Sequence, residues 1–321
     1  MDRGRIDLNG RSASAISFTM PANDVRLTAN YLETDTVGST YLVVDLETGL
    51  IHYTDTPPDL SDDTCRTTEL WLRRIPAGAF TMGSPEDEIG HEGDETLHHV
   101  TLKSDYYMGI FEVTQKQYEL VQGCNPSNYK GDCRPVECVS CIDIRGVEKT
   151  AGAGWPTGVD AVGADSFLGK LRARTGLTFD LPTEAQWEYA CRAGSPAAFN
   201  TRKNLAAAEF DSAMNEAGRF WDNKSDGKGK YSEHAQVGSY LSNAWGLYDM
   251  HGNVFEWCLD WYGAYPSTSV TDPTGAQTGS ERVLRGGSWN SFDVQYCRSA
   301  NRSYSYPSCG SGSGFRVVCP P

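Results

Sequence analysis

The chain has no apolar run long enough to cross a bilayer. Basic residues are scarce: 28 Lys and Arg stand against 42 Asp and Glu, a net charge of −14. Neutralising phosphates takes clustered Lys and Arg, so nucleic acid is excluded as a partner. An anionic membrane surface exerts no pull on such a chain. The first residues, MDRGRIDLNGRS, lack the apolar core of a signal peptide. A start this polar, running straight into a strand pattern, reads as an excerpt of a longer chain. The expectation is a secretion or lipid-anchor signal upstream and a cell-surface or extracellular location.

Histidine is also sparse, with 6 in the chain. His98 and His99 alternate along a strand pattern and His251 sits in a turn, so no facial triad for iron is evident. Ten cysteines in 321 residues do not make a dense disulfide scaffold. Cys138-Val139-Ser140-Cys141 is a CxxC without a second CxxC or an HxxxH, a weak zinc signal. Cys124 with Cys133 and Cys138 with Cys141 leave two bridges or a metal cluster open. Cys191 and Cys258 lie in apolar, Trp-rich contexts and read as buried thiols.

What is present is a C-terminal tract of unusual composition. Strand-like segments at 282–284 and 315–318 bracket a stretch without hydrophobic periodicity. It holds Asn290, Ser291, Phe292, Asp293, Val294, Tyr296, Asn301, Ser303, Tyr304, Ser305, Tyr306, Ser308, Cys309, Gly310, Ser311, Gly312 and Ser313. Tyr supplies contact area with few rotatable bonds, while Ser, Gly and Asn supply adaptable hydrogen bonds, as in a paratope. A Ser/Gly linker is the alternative. A linker rarely carries so many aromatics, or Arg298, Arg302 and Arg316 at intervals. All seventeen residues are therefore expected to form a ligand-binding surface.

Upstream, residues 14–33 and 41–53 read as two strand–turn–strand units, and 54–66 as a polar, Pro-rich break. The chain divides on this basis into an N-terminal β-hairpin segment, 1–60, and a main domain, 61–321, with its variable tract at about 290–313. The first hairpin is similar to the closing hairpin of bacterial surface repeats. In the main domain, 70–84 reads as two strands and 98–107 as one. Thr114 is an expected N-cap. Residues 125–154 read as loop, and 165–175 as an amphipathic helix ended at Gly176. Thr183 with Gln186 forms a capping box ahead of Trp187 and Ala190. Residues 195–240 read as irregular. The acidic run Glu86-Asp87-Glu88, with Glu92, Asp94 and Glu95, reads as a solvated loop.

The ordered set FTMGS (80–84), EVT (112–114), LPTEAQWEYACRAG (181–194), GLYDMHGNVFEW (246–257), RVLRGGSW (282–289) and GFRVV (314–318) resembles the formylglycine-generating-enzyme, or sulfatase-modifying factor, family. The resemblance covers roughly 70–319. It implies an α+β, C-type-lectin-like fold with two helices, small antiparallel sheets and much loop. Active members use a cysteine pair after the GGS motif to bind copper. Ser291 and Tyr296 stand at the matching positions here, and a hydroxyl is no substitute for a thiolate toward Cu(I). An oxidase acting on a peptide cysteine would need Cys297 and Cys309 to come together. The chain is therefore expected not to be an enzyme.

The resemblance is closer to a subset of that family, the variable proteins of diversity-generating retroelements. In these a reverse transcriptase rewrites adenine-containing codons near the gene's end. AAC codons lead to Ser, Tyr, Phe, Asp, Val, Gly, Cys and Asn, the set to which all seventeen tract residues named above belong. The implied partner is a varied protein or other surface ligand. Unvaried positions such as Trp289, Arg298, Arg302 and Phe315 would form the frame. Its core is expected to be Trp187, Trp245, Phe255, Trp257, Trp261, Trp289 and Phe315. The resemblance also implies a structural calcium, though no required cofactor. Asp249 and Glu256 would ligate by side chain, and Gly252 and Val254 by carbonyl. The alternative is that both carboxylates cap the loop and pair with arginine. A lectin-like fold does not itself confer sugar binding.

Overall fold

The computed structural model describes residues 38–146, 162–223, 233–308 and 312–321. The hairpin expected at 14–33 and the tract residues Cys309, Gly310 and Ser311 lie outside the described residues.

The strands are β1 (Tyr41–Asp45), β2 (Ile51–Thr54), β3 (Glu69–Ile75), β4 (Gly78–Met82), β5 (His98–Leu102), β6 (Tyr106–Gly109), β7 (Phe255–Trp261), β8 (Val270–Thr271), β9 (Arg282–Arg285), β10 (Ser303–Ser305), β11 (Ser313–Gly314) and β12 (Val318–Cys319). They form a five-stranded sheet in the order β12-β6-β3-β1-β2, a four-stranded sheet β10-β9-β7-β11 and a three-stranded sheet β4-β5-β8. The helices are α1 (Thr64–Thr67), α2 (Gln115–Gln122), α3 (Cys141–Arg145), α4 (Phe167–Thr175) and α5 (Glu184–Arg192). The architecture is mixed, with small sheets and much loop, as the family resemblance implies. Two helices were expected. The structure has three of 8 or 9 residues and two shorter ones.

The caps explain where the helices begin. Thr114 and Thr183 each accept from the N–H three residues on, and Gln117 and Gln186 reach back to close the capping box. Ser140 and Asp143 do the same for α3, inside the stretch expected to be loop. Residues 98–107 are two strands in different sheets, split where Lys103, Ser104 and Asp105 leave the ladder.

The division near residue 60 does not separate two bodies in this fold. β1 and β2 precede it, yet β1 pairs along β3 from Tyr41–Arg73 to Asp45–Glu69. Alternate residues of β1 then point to opposite faces, as the pleat requires. Leu42 and Val44 join a core with Tyr118, Phe167, Leu171, Trp257 and Phe315. Tyr41 and Val43 join a second with Trp187, Ala190, Met250 and Cys258. Of the expected core, Trp187, Trp257 and Phe315 are fully buried. Trp245, Phe255, Trp261 and Trp289 are half-buried.

A third, smaller core lies under the irregular segment after α5: Ala198, Phe199, Leu205, Ala213, Met214, Ala217 and Phe220, closed by Val294 and Cys297. Two members of the C-terminal stretch therefore hold the fold together.

Candidate ligand-binding site

β9 ends at Gly286 and Gly287, whose φ angles are +92° and +75°. A Cβ at Gly287 would come within 2.6 Å of the Cys297 sulfur, so only glycine lets the two strands of this loop meet. The turn is then tied locally. Ser288 N–H donates to Ser291 Oγ (3.0 Å), Asn290 N–H donates to Ser288 Oγ (3.2 Å), and Trp289 N–H donates to the carbonyl of Asn253 (2.8 Å). Ser291 is buried by this role rather than presented to solvent.

The tract divides by burial. Phe292, Tyr296, Tyr304 and Tyr306 are exposed, at 61%, 36%, 49% and 59% of their surface. Asn290 and Ser308 are exposed with them. Asp293, Ser303, Ser305 and Gly312 are half-buried. Val294, Asn301 and Ser313 are buried, so their side chains do not face a ligand. Val294 packs into the third core and Ser313 pairs with Phe255 in β11. The main chain of Asn301 accepts from Arg285.

Asn290, Ser291, Phe292, Tyr296, Ser303 and Gly312 line one cavity of about 610 Å³. Ser288, Trp289, Asn128, Tyr129, Glu137 and Phe255 complete its wall. Tyr129 meets Trp289 edge to face, ring centroids 5.3 Å apart. Phe292 stacks on Trp221 at 4.1 Å. Tyr304 stands on the ring of Tyr262 at 4.3 Å, outside the cavity. Asn128, Tyr129, Glu137 and Trp221 had not been singled out in the sequence. The run Ser127-Asn128-Tyr129 has the composition of the C-terminal tract, which is the signal that marks it.

Glu137 is the acidic group of this cavity. Its Oε1 accepts from the N–H groups of Asn128 (2.5 Å) and Tyr129 (3.0 Å). Burial alone would raise its pKa. The two backbone N–H donors, the Cys138 thiol and the nearby His234 ring outweigh burial and bring it to about 2.

Arginines fix the tract from behind. Arg298, fully buried, donates to Glu95 (2.6 and 2.9 Å), to Glu88 (2.6 Å) and to the carbonyl of Gly90. Arg302 makes a two-pronged pair with Glu184, at 2.8 and 2.9 Å. The acidic run is thus not wholly a solvated loop. Glu95 is fully buried, and Arg298 pins the loop against the tract.

Among the described residues no two cysteines pair, and Cys309, which the oxidase alternative needs, lies outside them. The nine described cysteines are free thiols. Cys297 is buried, and burial pushes its thiol up to about 12 despite hydrogen bonds from Ser291 and Ser288. Cys191 lies 3.8 Å from His251 Nε2, but burial raises that thiol to about 12 and lowers the imidazole to about 4, so both are neutral.

The calcium expectation meets a specific geometry. Asp249, at φ +55°, and Glu256 are both buried. Glu256 is gripped by Arg316 (two contacts of 2.6 Å) and by Trp187 Nε1 (2.8 Å). Asp249 Oδ2 accepts from Gly238 N–H, while its buried Oδ1 has no partner. Glu112 adds a third buried carboxyl to this one arginine. Burial raises Asp249 to about 6 and Glu112 upward as well. No group of three His, Cys, Asp or Glu side chains is poised around a metal position among the described residues. Glu256 thus has both oxygens engaged by Arg316 and Trp187, as the arginine-pairing alternative expects, and Asp249 Oδ1 is the one open side-chain oxygen of the expected calcium set.

The fold and site define a C-type-lectin-like domain with a surface cavity to which its C-terminal tract contributes half of the lining residues. Residues 59–320 match the model of the sulfatase-modifying factor enzyme 1-like domain, and the chain belongs to that family. The mouse formylglycine-generating enzyme is 30% identical over 281 residues, 76% of this chain and 73% of that one. The chaperone protein LppX of Paenibacillus barcinonensis is 28% identical, covering 68% of this chain and 81% of its own. Among solved structures, Treponema denticola variable protein 1 superposes with a TM-score of 0.62 at 25% identity, over 79% of this chain and 96% of its own. PvdO from Pseudomonas aeruginosa gives 0.61 at 27%, over 78% and 95%.

Proposed function

We propose that this protein is a surface-displayed binding protein whose tract at 290–313 is diversified by a retroelement so that different copies bind different targets. The observation that carries this reading is the division of that tract. Phe292, Tyr296, Tyr304 and Tyr306 stand exposed, whereas the intervening Arg298, Ser299, Ala300 and Arg302 are buried. A surface that accepts many side chains cannot depend on them for packing. The likeness to a solved structure named a variable protein supports the same reading. Residues 14–33, within the N-terminal segment 1–60, would be the closing hairpin of a surface-protein repeat. Asp249, Gly252, Val254 and Glu256 would hold a structural calcium.

The relatives named formylglycine-generating enzymes keep a copper-dependent oxidase in view as the alternative. Ser291 and Tyr296 at the expected thiolate positions, with Cys297 buried and neutral, support the binding reading over it. The test is to sequence the whole gene from several isolates. Differences gathered at adenine-derived codons of 290–313 are expected. Differences spread evenly through the codons for 38–289 overturn the proposal.

A further inference from the structure

The cavity has two halves of different origin. Phe292 and Tyr296 come from the tract, while Tyr129, Glu137, Phe255 and Trp289 lie outside it. The second half combines aromatic walls with one carboxylate. Tyr129 and Trp289 pack against each other edge to face, their planes at 81°, and together form one aromatic wall of the cavity. Glu137 is 2% exposed and is fixed by the backbone N–H of Tyr129, the residue whose ring forms the wall. No described residue lining the cavity is Lys or Arg. His234 is the neighbouring titratable group, with Nε2 3.9 Å from Glu137 Oε1.

Ring faces carry negative potential, and rings gathered around a site with an anion nearby attract organic cations. A neutral apolar ligand would gain nothing from the carboxylate. We propose that the half of the cavity outside the tract binds an organic ammonium group, while Phe292 and Tyr296 select the molecule that carries it. This rests on the reading of 290–313 as a ligand surface. It adds a division of labour: residues outside the tract set the chemical class, and residues within it set the identity.

The test uses choline and its uncharged isostere 3,3-dimethylbutan-1-ol, titrated into the full chain and followed by the Trp289 indole N–H signal. The titration is run at pH 8. Choline is expected to bind about tenfold more tightly than the isostere, within the range of a desolvated cation–π contact. Glu137→Gln retains an oxygen for the Asn128 and Tyr129 N–H groups, so the loop keeps its bonds. This variant is expected to lose most of the preference for charge while still binding the isostere. Tyr129→Leu, at a ring 36% exposed, is expected to weaken choline as well. Equal affinity for the two compounds, or no shift of the Trp289 signal with either, overturns the proposal. That outcome leaves the function standing if gene copies still differ only at 290–313. Choline selectivity with copies that differ elsewhere fails the function and keeps the cation site.

Discussion

Asp249 shows how one side chain couples folding to pH. Its carboxyl has an ordinary pKa of 3.8 and is raised to about 6 in the fold, first by burial. Between those values the folded chain binds more protons than the unfolded one, so its contribution to stability falls as pH rises through this window. Above about 6 the buried, ionised group is the one a calcium ion would relieve. Calcium is therefore expected to raise the thermal midpoint more at pH 8 than at pH 5, by mass action on the folded state. Asp249→Asn should remove both the calcium effect and this part of the pH slope. A midpoint indifferent to calcium at pH 8 contradicts the assignment. The position of Asp249 was legible from its motif, but its unpartnered oxygen was not. Similarly, composition marks Tyr304 and Val294 alike as tract residues, yet Tyr304 is exposed and Val294 is buried. The partners of Val294 come from a segment without periodicity, Phe199 to Phe220, so no local pattern announces them.

At the scale of elements, capping chemistry was readable because it is local. Thr114 with Gln117 and Thr183 with Gln186 sit three residues apart, and both helices start where those boxes place them. The third box closes through Asp143 rather than Glu or Gln, inside a Cys- and Pro-containing stretch, which hid α3. The acidic loop at 85–95 was misread for the opposite reason. Its partner, Arg298, lies more than 200 residues away, and charge patterning carries no information about such a distance. This contact makes a clear prediction. Arg298→Met leaves Glu95, fully buried, without its cation. Removing one partner of a buried pair costs about 3–5 kcal/mol. Chemical denaturation should show a loss of that order, whereas a loss below about 1 kcal/mol would mean that the loop is not anchored there.

For the molecule as a whole, the strand pairing β1–β3 makes the described chain one packed body across residue 60. The polar break at 54–66 looked like a boundary because its composition suits solvent, and it is indeed mostly exposed. What it connects was decided by the alternating apolar residues of β1, which two cores share. The central claim is that the ligand surface is mechanically separate from this body. The most direct measurement compares two libraries by thermal midpoint. One randomises positions 292, 296, 304 and 306 among Ser, Tyr, Phe, Asp and Asn. The other randomises 291, 294, 301 and 313 over the same residues. The first library should keep its midpoints within about 4 °C of the parent, since exposed substitutions cost little. The second should lose most of its folded members to buried polar groups and cavities. Equal losses in the two libraries would contradict the account.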